Sequence, residues 1–210
     1  MKPWKNCLLA IPLSLMTLFA CAPAAAQGIL IVGDSISAAF GLELERGWVS
    51  LLKARLHEHS YELPVVNASV SGDTTAGGLA RLPRLLEVHQ PDLVVIELGG
   101  NDGLRGLAPD KMQQNLSAMI DAALAADADV LLMGMRIPPN YGVRYTEAFE
   151  QVYRDLGSEP EVTLVPFVLE GVAGVPELVQ ADGIHPNAKG QPGILENAWP
   201  PISDWLVKQP

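Results

Sequence analysis

The chain has 210 residues, 49% of them hydrophobic and 18% charged, with a formal net charge of −10 at pH 7. This length and apolar content suit one domain with a sizeable core. The acidic balance argues against a nucleic-acid partner and against electrostatic docking on anionic lipid.

The first 26 residues have the pattern of an export signal. A positively charged start precedes a short apolar run, 8–20, and an A-x-A cleavage site ends at Ala26. The run is shorter than the roughly 20 residues that a membrane span needs. We therefore predict a signal peptide over 1–26, a single domain over 27–210, no stable membrane span, and a periplasmic or secreted protein.

Both cysteines of the chain, Cys7 and Cys21, lie inside this predicted signal segment. A processed chain would lack cysteine, which excludes a disulfide framework, a thiolate nucleophile and thiolate metal ligands. The letters LFAC ending at Cys21 also resemble a lipoprotein signal, so a form that is lipid-anchored through Cys21 is the alternative. With no cysteine and no heptad seam, we expect a monomer.

Apolar, β-rich runs alternate with helical patterns along the rest of the chain. In order, the predicted elements are a strand at 28–33, a helix through 48–56, a strand at 64–69, a helix through 79–86, a strand at 92–99, a helix over 109–126, strands at 129–135 and 162–167, and a last helix. Several strands are almost continuously hydrophobic, as parallel strands covered on both faces are. The alternation predicts an α/β fold, a five-stranded parallel sheet between two helical layers.

Four polar, glycine-containing segments follow or flank these elements. Three come directly after strands, and the fourth precedes the last helix: GDSIS at 33–37, NASVSGD at 67–73, GGNDG at 99–103 and DGIHPN at 182–187. Each by itself reads as an ordinary turn or helix cap. Ligands of parallel sheets bind beyond the carboxyl ends of the strands, so we expect the four segments to meet there.

Together these segments supply the groups that acyl transfer needs. The hydroxyl of Ser35 is a weak nucleophile, and His185 is placed to remove its proton. Asp182 can hold the imidazole in one tautomer and stabilise its cation. The backbone N–H groups of Ser35 and Gly72 and the amide of Asn101 are candidate donors to an oxyanion. The sequence contains no H-E-x-x-H motif or other His cluster, so we expect no metal, and it also lacks a glycine-rich phosphate-binding loop.

GDSIS, the glycine of SGDT, GGND and DGIHP resemble the sequence blocks of the SGNH (GDSL) hydrolases. Longer stretches, VVNASVSGDTTAGGLARLP, VIELGGNDGLRG, PPNYGVRY and ADGIHPN, are similar to the bacterial periplasmic thioesterase I/protease I/lysophospholipase branch, which includes TesA-type esterases and arylesterases.

This resemblance implies a three-layer α/β/α sandwich of flavodoxin-like type. It also implies Ser35 as nucleophile, His185 as base and Asp182 as the group that orients it. Ser35, Gly72 and Asn101 would form the oxyanion hole, without a metal or organic cofactor.

The expected function is a serine esterase and acyl-thioesterase acting on aryl and alkyl esters, acyl thioesters and lysophospholipids. A carbohydrate O-acetylesterase and a non-catalytic exported binding module are the alternatives. The apolar stretch 166–180 favours an acyl chain over an acetylated sugar. Tyr141 and Tyr145, in the segment after the fourth strand, are candidate substrate-binding residues, with a purely structural loop as the equal alternative.

Overall fold

A computed structural model describes residues 28–209, so the predicted signal segment 1–26 lies outside the described residues. All five predicted strands are present and parallel, in the sheet order β2-β1-β3-β4-β5. Their bounds are β1 Ile29–Gly33, β2 Val65–Asn67, β3 Leu93–Glu97, β4 Asp129–Met133 and β5 Val162–Val165.

Six α-helices accompany the sheet in the described residues. They are α1 Trp48–Glu58, α2 Thr75–His89, α3 Gly100–Leu104, α4 Pro109–Leu124, α5 Val143–Leu156 and α6 Gln191–Lys208, with short 3-10 helices at Leu44–Arg46 and Pro139–Tyr141. The helix predicted from Pro109 begins at that proline, whose fixed φ and missing N–H suit the first turn. None of the described helices is long and apolar enough to cross a membrane.

The order of the strands places the helices in two layers. The connection from β1 to β2 runs in one direction across the sheet. The later connections, from β2 to β3, from β3 to β4 and from β4 to β5, all run in the opposite direction. Because parallel crossovers are right-handed, α1 lies on one face and α2, α4 and α5 lie on the opposite face. The packing agrees, since α1 contacts α6, while α2 contacts α4 and α4 contacts α5. The three-layer α/β/α prediction is confirmed.

The core lies on both faces of the central strands. Every residue of β1 and of β3 is buried, including Glu97 at the end of β3. One segment has a different structure from the turn that its sequence suggests. Asn101, Asp102 and Gly103 are part of helix α3. The carboxylate of Asp102 explains this, since it is buried and accepts hydrogen bonds from the backbone and hydroxyl of Thr75 at 2.9 and 2.6 Å.

Candidate active site

The turn that follows β1 carries the predicted nucleophile. Asp34 Oδ1 accepts the backbone N–H of Ile36 at 3.0 Å, which folds the chain back directly around Ser35. Gly33 makes this turn possible, because a Cβ there would lie 2.6 Å from Glu97 Oε2 and 2.8 Å from Ser37 Oγ. Ser35 is therefore delivered, 8% exposed, at the carboxyl edge of the sheet.

Ser35, His185 and Asp182 lie in one line of hydrogen bonds. Ser35 Oγ is 2.9 Å from His185 Nε2, and His185 Nδ1 is 2.7 Å from Asp182 Oδ2. With a proton on Nδ1 facing the carboxylate, Nε2 is free to accept the hydroxyl proton of the serine. The structure brings together the three residues that the sequence predicts.

The loop before α6 holds Asp182 as an anion. Its Oδ1 accepts the backbone N–H groups of Ile184 and His185 at 2.9 and 3.0 Å. The N–H of Ile184, the imidazole of His185 and the N–H of His185 lower the pKa of Asp182 from 3.8 to about 2. Asp182 is therefore charged at neutral pH.

The sequence predicts three hydrogen-bond donors for an oxyanion at Ser35, and the structure shows which other groups they contact. Within residues 28–209, the backbone N–H groups of Ser35 and Gly72 donate to no other group. Gly72 has a positive φ of 79°, a backbone shape that favours glycine. Asn101 Nδ2 donates one hydrogen to Asp34 Oδ2 at 2.9 Å, which orients the amide and leaves its second hydrogen for a ligand.

Arg81, on α2, ties the loop that contains Gly72 to the strand that leads to Ser35. Its guanidinium donates to the carbonyl of Ala68 at the start of this loop and, at 3.2 Å, to the carbonyl of Gly33. Arg81 Nε also donates to Asp73 Oδ2 at 2.8 Å. One side chain thus joins the two chain segments that carry Ser35 and Gly72, two of the predicted donors.

Two buried carboxyl groups, Asp34 and Glu97, lie behind the turn that carries Ser35. Burial raises the pKa of Asp34 from 3.8 to about 6, although hydrogen bonds from Ile36 and Asn101 act in the opposite direction. Burial and the neighbouring charge of Asp34 raise the pKa of Glu97 well above its usual 4.5. Among residues 28–209, Glu97 Oε1 has no hydrogen-bond partner and is buried, so a negative charge on this oxygen would meet no donor.

Glu97 Oε2, in contrast, collects three donors from the turn. These are the backbone N–H of Asp34 at 3.3 Å, the backbone N–H of Ser37 at 3.2 Å and the hydroxyl of Ser37 at 2.6 Å. The two residues flank Ser35 on either side, so Glu97 fixes the turn from below.

A cleft of about 470 Å³ opens beside Ser35 and His185. Its wall is mainly apolar and comes from the segments after β3, β4 and β5: Leu104, Met135, Ile137, Pro138, Pro139, Phe167, Leu169 and Ala173. The apolar stretch 166–180, expected to favour an acyl chain, therefore contributes to the wall.

Tyr141 and Tyr145 are not among the residues that line this cleft. Their hydroxyls instead donate to the carbonyls of Leu104 and Leu107, at 2.8 and 2.6 Å. These bonds give the two tyrosines a structural role, because they join the end of α3 and the residues after it to the 3-10 helix and to α5. Their direct contact with substrate stays a prediction.

Sequence reasoning assigned no role to several residues that shape the site. Glu97 had a usable signal, because a single acidic residue in the apolar run LVVIEL is unusual unless the group is paired or neutral. Arg81 had no such signal in the sequence, because an arginine in an amphipathic helix cannot be distinguished from an ordinary solvent-exposed residue.

The comparisons with known proteins agree with the fold. Residues 31–191 match the model of the GDSL-like Lipase/Acylhydrolase family. The chain is 59% identical to "Esterase TesA" of Pseudomonas aeruginosa over 183 residues, 87% of this chain and 91% of that protein. It is 48% identical to "Arylesterase" of Vibrio mimicus, over 86% of this chain and 92% of that protein.

A third relative, "Thioesterase 1/protease 1/lysophospholipase L1" of Escherichia coli, is 45% identical over 95% of this chain and 90% of its own length. A crystal structure of TesA superposes with a TM-score of 0.82 at 58% identity, covering 84% of this chain and 98% of that one. Esterase EstA from Pseudoalteromonas sp., solved with a monoethylphosphonate inhibitor, gives 0.77 at 43% identity, covering 87% and 100%. The family match and these identities establish that the chain belongs to the GDSL (SGNH) lipase/acylhydrolase family.

Proposed function

We propose that the chain is a serine esterase and acyl-thioesterase in which Ser35 is the nucleophile, His185 the general base and Asp182 its orienting partner. The observation that carries the proposal is the line of contacts from Asp182 Oδ2 through His185 to Ser35 Oγ beside an apolar cleft. Family membership and relatives named esterase, arylesterase and thioesterase support the same reaction class.

In the acylation step, Ser35 Oγ attacks the carbonyl carbon of the ester while its proton passes to His185 Nε2. The carbonyl oxygen becomes an oxyanion, which accepts hydrogen bonds from the N–H groups of Ser35 and Gly72 and from Asn101 Nδ2. When the tetrahedral intermediate collapses, the bond to the leaving alcohol or thiol breaks. The leaving group takes the proton back from the imidazolium, whose charge Asp182 has balanced.

Deacylation repeats these steps with water. His185 accepts a proton from the water as the water oxygen attacks the acyl carbon, and the second oxyanion occupies the same donors. Collapse returns the proton to Ser35 Oγ and releases the carboxylic acid. No redox partner or further reactant is needed.

The substrates that suit this cleft are esters with an apolar acyl or aryl group. A volume of about 470 Å³ is that of a small-molecule site, and its apolar wall can remove a hydrocarbon group from water. We therefore assign aryl and alkyl esters, acyl thioesters and lysophospholipids as the substrate classes. An acetyl group on a sugar would leave most of this wall uncovered.

We also infer that the protein is exported and acts as a monomer. The support is the signal pattern over 1–26, with the lipid-anchored form through Cys21 as the alternative product of processing. The intact mass of the mature protein distinguishes them, because a chain that begins at Gln27 carries no lipid.

The test of the reaction is Ser35→Ala against a chain-length series of p-nitrophenyl and acyl-CoA esters. We expect kcat to fall on the order of 10⁴-fold or more while the thermal unfolding curve stays unchanged. Ser50→Ala is the matched control, since its hydroxyl donates to the carbonyl of Leu44 at 2.7 Å, on α1. A folded wild type that neither hydrolyses these esters nor reacts with a fluorophosphonate would contradict the proposal. The alternatives would then be an esterase acting on acetylated glycans or a non-catalytic binding module.

A further inference from the structure

The loop that carries His185 has little regular structure to hold it. Between β5 and α6, within the described chain, a single isolated bridge joins Val179 and Pro186. The side chains of His185 and Asp182 are 20% and 38% exposed. The hydrogen bond to Asp182 comes from the same loop, so it cannot fix the loop relative to Ser35.

Phe40 supplies a contact from outside this loop. Its ring lies against the imidazole of His185, with 4.5 Å between the ring centroids and a tilt of 40°. His185 lines the cleft but Phe40 does not. The imidazole thus has the cleft on one side and the phenyl ring on another.

The backbone around Phe40 is shaped to present this ring. Both neighbours have positive φ, 56° at Ala39 and 74° at Gly41, and a non-glycine residue in that region is uncommon. A Cβ on Gly41 would lie 2.4 Å from Gln180 Oε1. The N–H of Phe40 donates to the carbonyl of Ser35 at 3.0 Å, so one compact turn carries both the serine and the ring.

Gln180 joins this turn to the loop of His185. Its Nε2 donates to the carbonyl of Phe40 at 2.7 Å and to that of Pro186 at 3.1 Å. Its backbone N–H donates to the carbonyl of His185 at 2.7 Å. The ring and the imidazole are therefore attached to a shared set of hydrogen bonds.

We infer that Phe40 is a positioning residue that holds the imidazole of His185 in line with Ser35 and Asp182. This inference rests on the proposed function. The ring limits rotation of the imidazole and keeps water from one side of it. Its π face also attracts the imidazolium that forms when Ser35 gives up its proton.

The test is Phe40→Ala beside Phe40→Tyr, assayed with a short-chain p-nitrophenyl ester. For Phe40→Ala we expect kcat to fall about tenfold and KM to change less than about twofold, because geometry is lost and substrate contacts are kept. Phe40→Tyr, which keeps the ring, restores kcat to within about twofold of the wild type. The low-field NMR resonance of the His185 Nδ1 proton broadens by exchange with water in Phe40→Ala and stays sharp in Phe40→Tyr.

Leu44→Ala is the matched control, because this large apolar side chain follows in the same segment and is 66% exposed. It leaves kcat and the resonance unchanged. Gln180→Ala lowers kcat in the same direction as Phe40→Ala, and the double variant loses less than the product of the two effects, as expected for residues of one network.

Wild-type kcat in Phe40→Ala, or a raised KM with unchanged kcat, overturns the inference; the second result would make Phe40 a substrate contact. Fluorophosphonate labelling of the wild type distinguishes a failure of the proposed function from a failure of the positioning role of Phe40. An unreactive wild type contradicts the proposed function, whereas a reactive wild type that Phe40→Ala matches in kcat contradicts the positioning role alone.

Discussion

Gly33 shows how a single missing side chain decides the geometry of the site. Glu97 Oε2 and Ser37 Oγ occupy the space that a Cβ would need, at 2.6 and 2.8 Å, and both groups are buried. Neither can retreat without breaking their own 2.6 Å hydrogen bond. The strand can approach Glu97 this closely only because residue 33 is glycine.

We therefore expect Gly33→Ala to destabilise the protein by about 2 kcal/mol, as overpacking a filled core does. For a domain of this size that lowers Tm by roughly 4–8 °C, and the displaced turn also lowers kcat. Calorimetry of Gly33→Ala beside Gly100→Ala provides the comparison, because the nearest neighbour of a Cβ at Gly100 is an ordinary 3.4 Å away. Equal Tm values for the two variants would contradict this account.

At the scale of elements, the loop from Ala68 to Asp73 depends on a residue of the helix that follows it. Arg81 of α2 contacts the carbonyls of Ala68 and Gly33 and the carboxylate of Asp73. The planar guanidinium makes these contacts at fixed mutual angles, which an ammonium group does not reproduce.

Arg81→Met keeps the aliphatic stem and removes all three contacts. We expect the loop with Gly72 to move away from Ser35 and kcat for a p-nitrophenyl ester to fall about tenfold, since an oxyanion donor is displaced and not deleted. Arg81→Lys recovers only part of the loss. Arg84→Met, on the exposed side of the same helix and paired with Glu87 at 2.6 Å, is the control and keeps wild-type kcat. Equal activity of Arg81→Met and Arg84→Met would show that the loop needs no such anchor.

The elements themselves were largely predictable from the sequence, because hydrophobic periodicity and turn residues act locally. The starts of α1 at Trp48 and of α4 at Pro109 follow from such signals. The helical form of the segment 101–103 was not predictable from the sequence. It depends on the contact between Asp102 and Thr75, which lie 27 positions apart in the chain.

The residues of the candidate site also fall into those that the sequence predicts and those that it does not. Ser35, Asn101 and His185 could be singled out because polar residues after apolar strands are informative. The contacts of Phe40, Arg81 and Gln180 could not, because each depends on a distance between loops that no local pattern encodes.

For the whole molecule, the parallel sheet brings the ends of β1 and β3 side by side, with Gly33 opposite Glu97. This register places two carboxyl groups, Asp34 and Glu97, in one buried volume beneath Ser35. Burial raises the pKa of both, to about 6 for Asp34 and well above 4.5 for Glu97. Both carboxyl groups therefore bind protons more tightly in the folded protein than in the unfolded chain.

A carboxyl group with a raised pKa contributes most to stability below its unfolded pKa, and the contribution falls as pH rises towards its folded pKa. For Asp34 the fall runs from pH 3.8 to about 6, and each unit of difference corresponds to about 1.4 kcal/mol. For Glu97 it starts near 4.5 and continues to higher pH. Asp182, whose pKa is lowered to about 2, acts oppositely and loses its contribution only below pH 3.8.

Glu97→Gln removes the ionisable group, while its amide oxygen can still accept the hydrogen bonds of Asp34 and Ser37. We expect the variant to be more stable than the wild type at pH 8, by more than about 1 kcal/mol, and to gain little or nothing at pH 4.5. Between these values its free energy of unfolding falls less with pH, because the isostere never takes up a proton on folding.

Urea unfolding at several pH values measures this slope, with Glu87→Gln as control because its carboxylate is 70% exposed. Parallel pH profiles for Glu97→Gln and the wild type would mean that folding does not raise the pKa of Glu97. A flatter profile for Glu97→Gln alone would assign the proton to Glu97, so that the turn around Ser35 is held by a neutral acid.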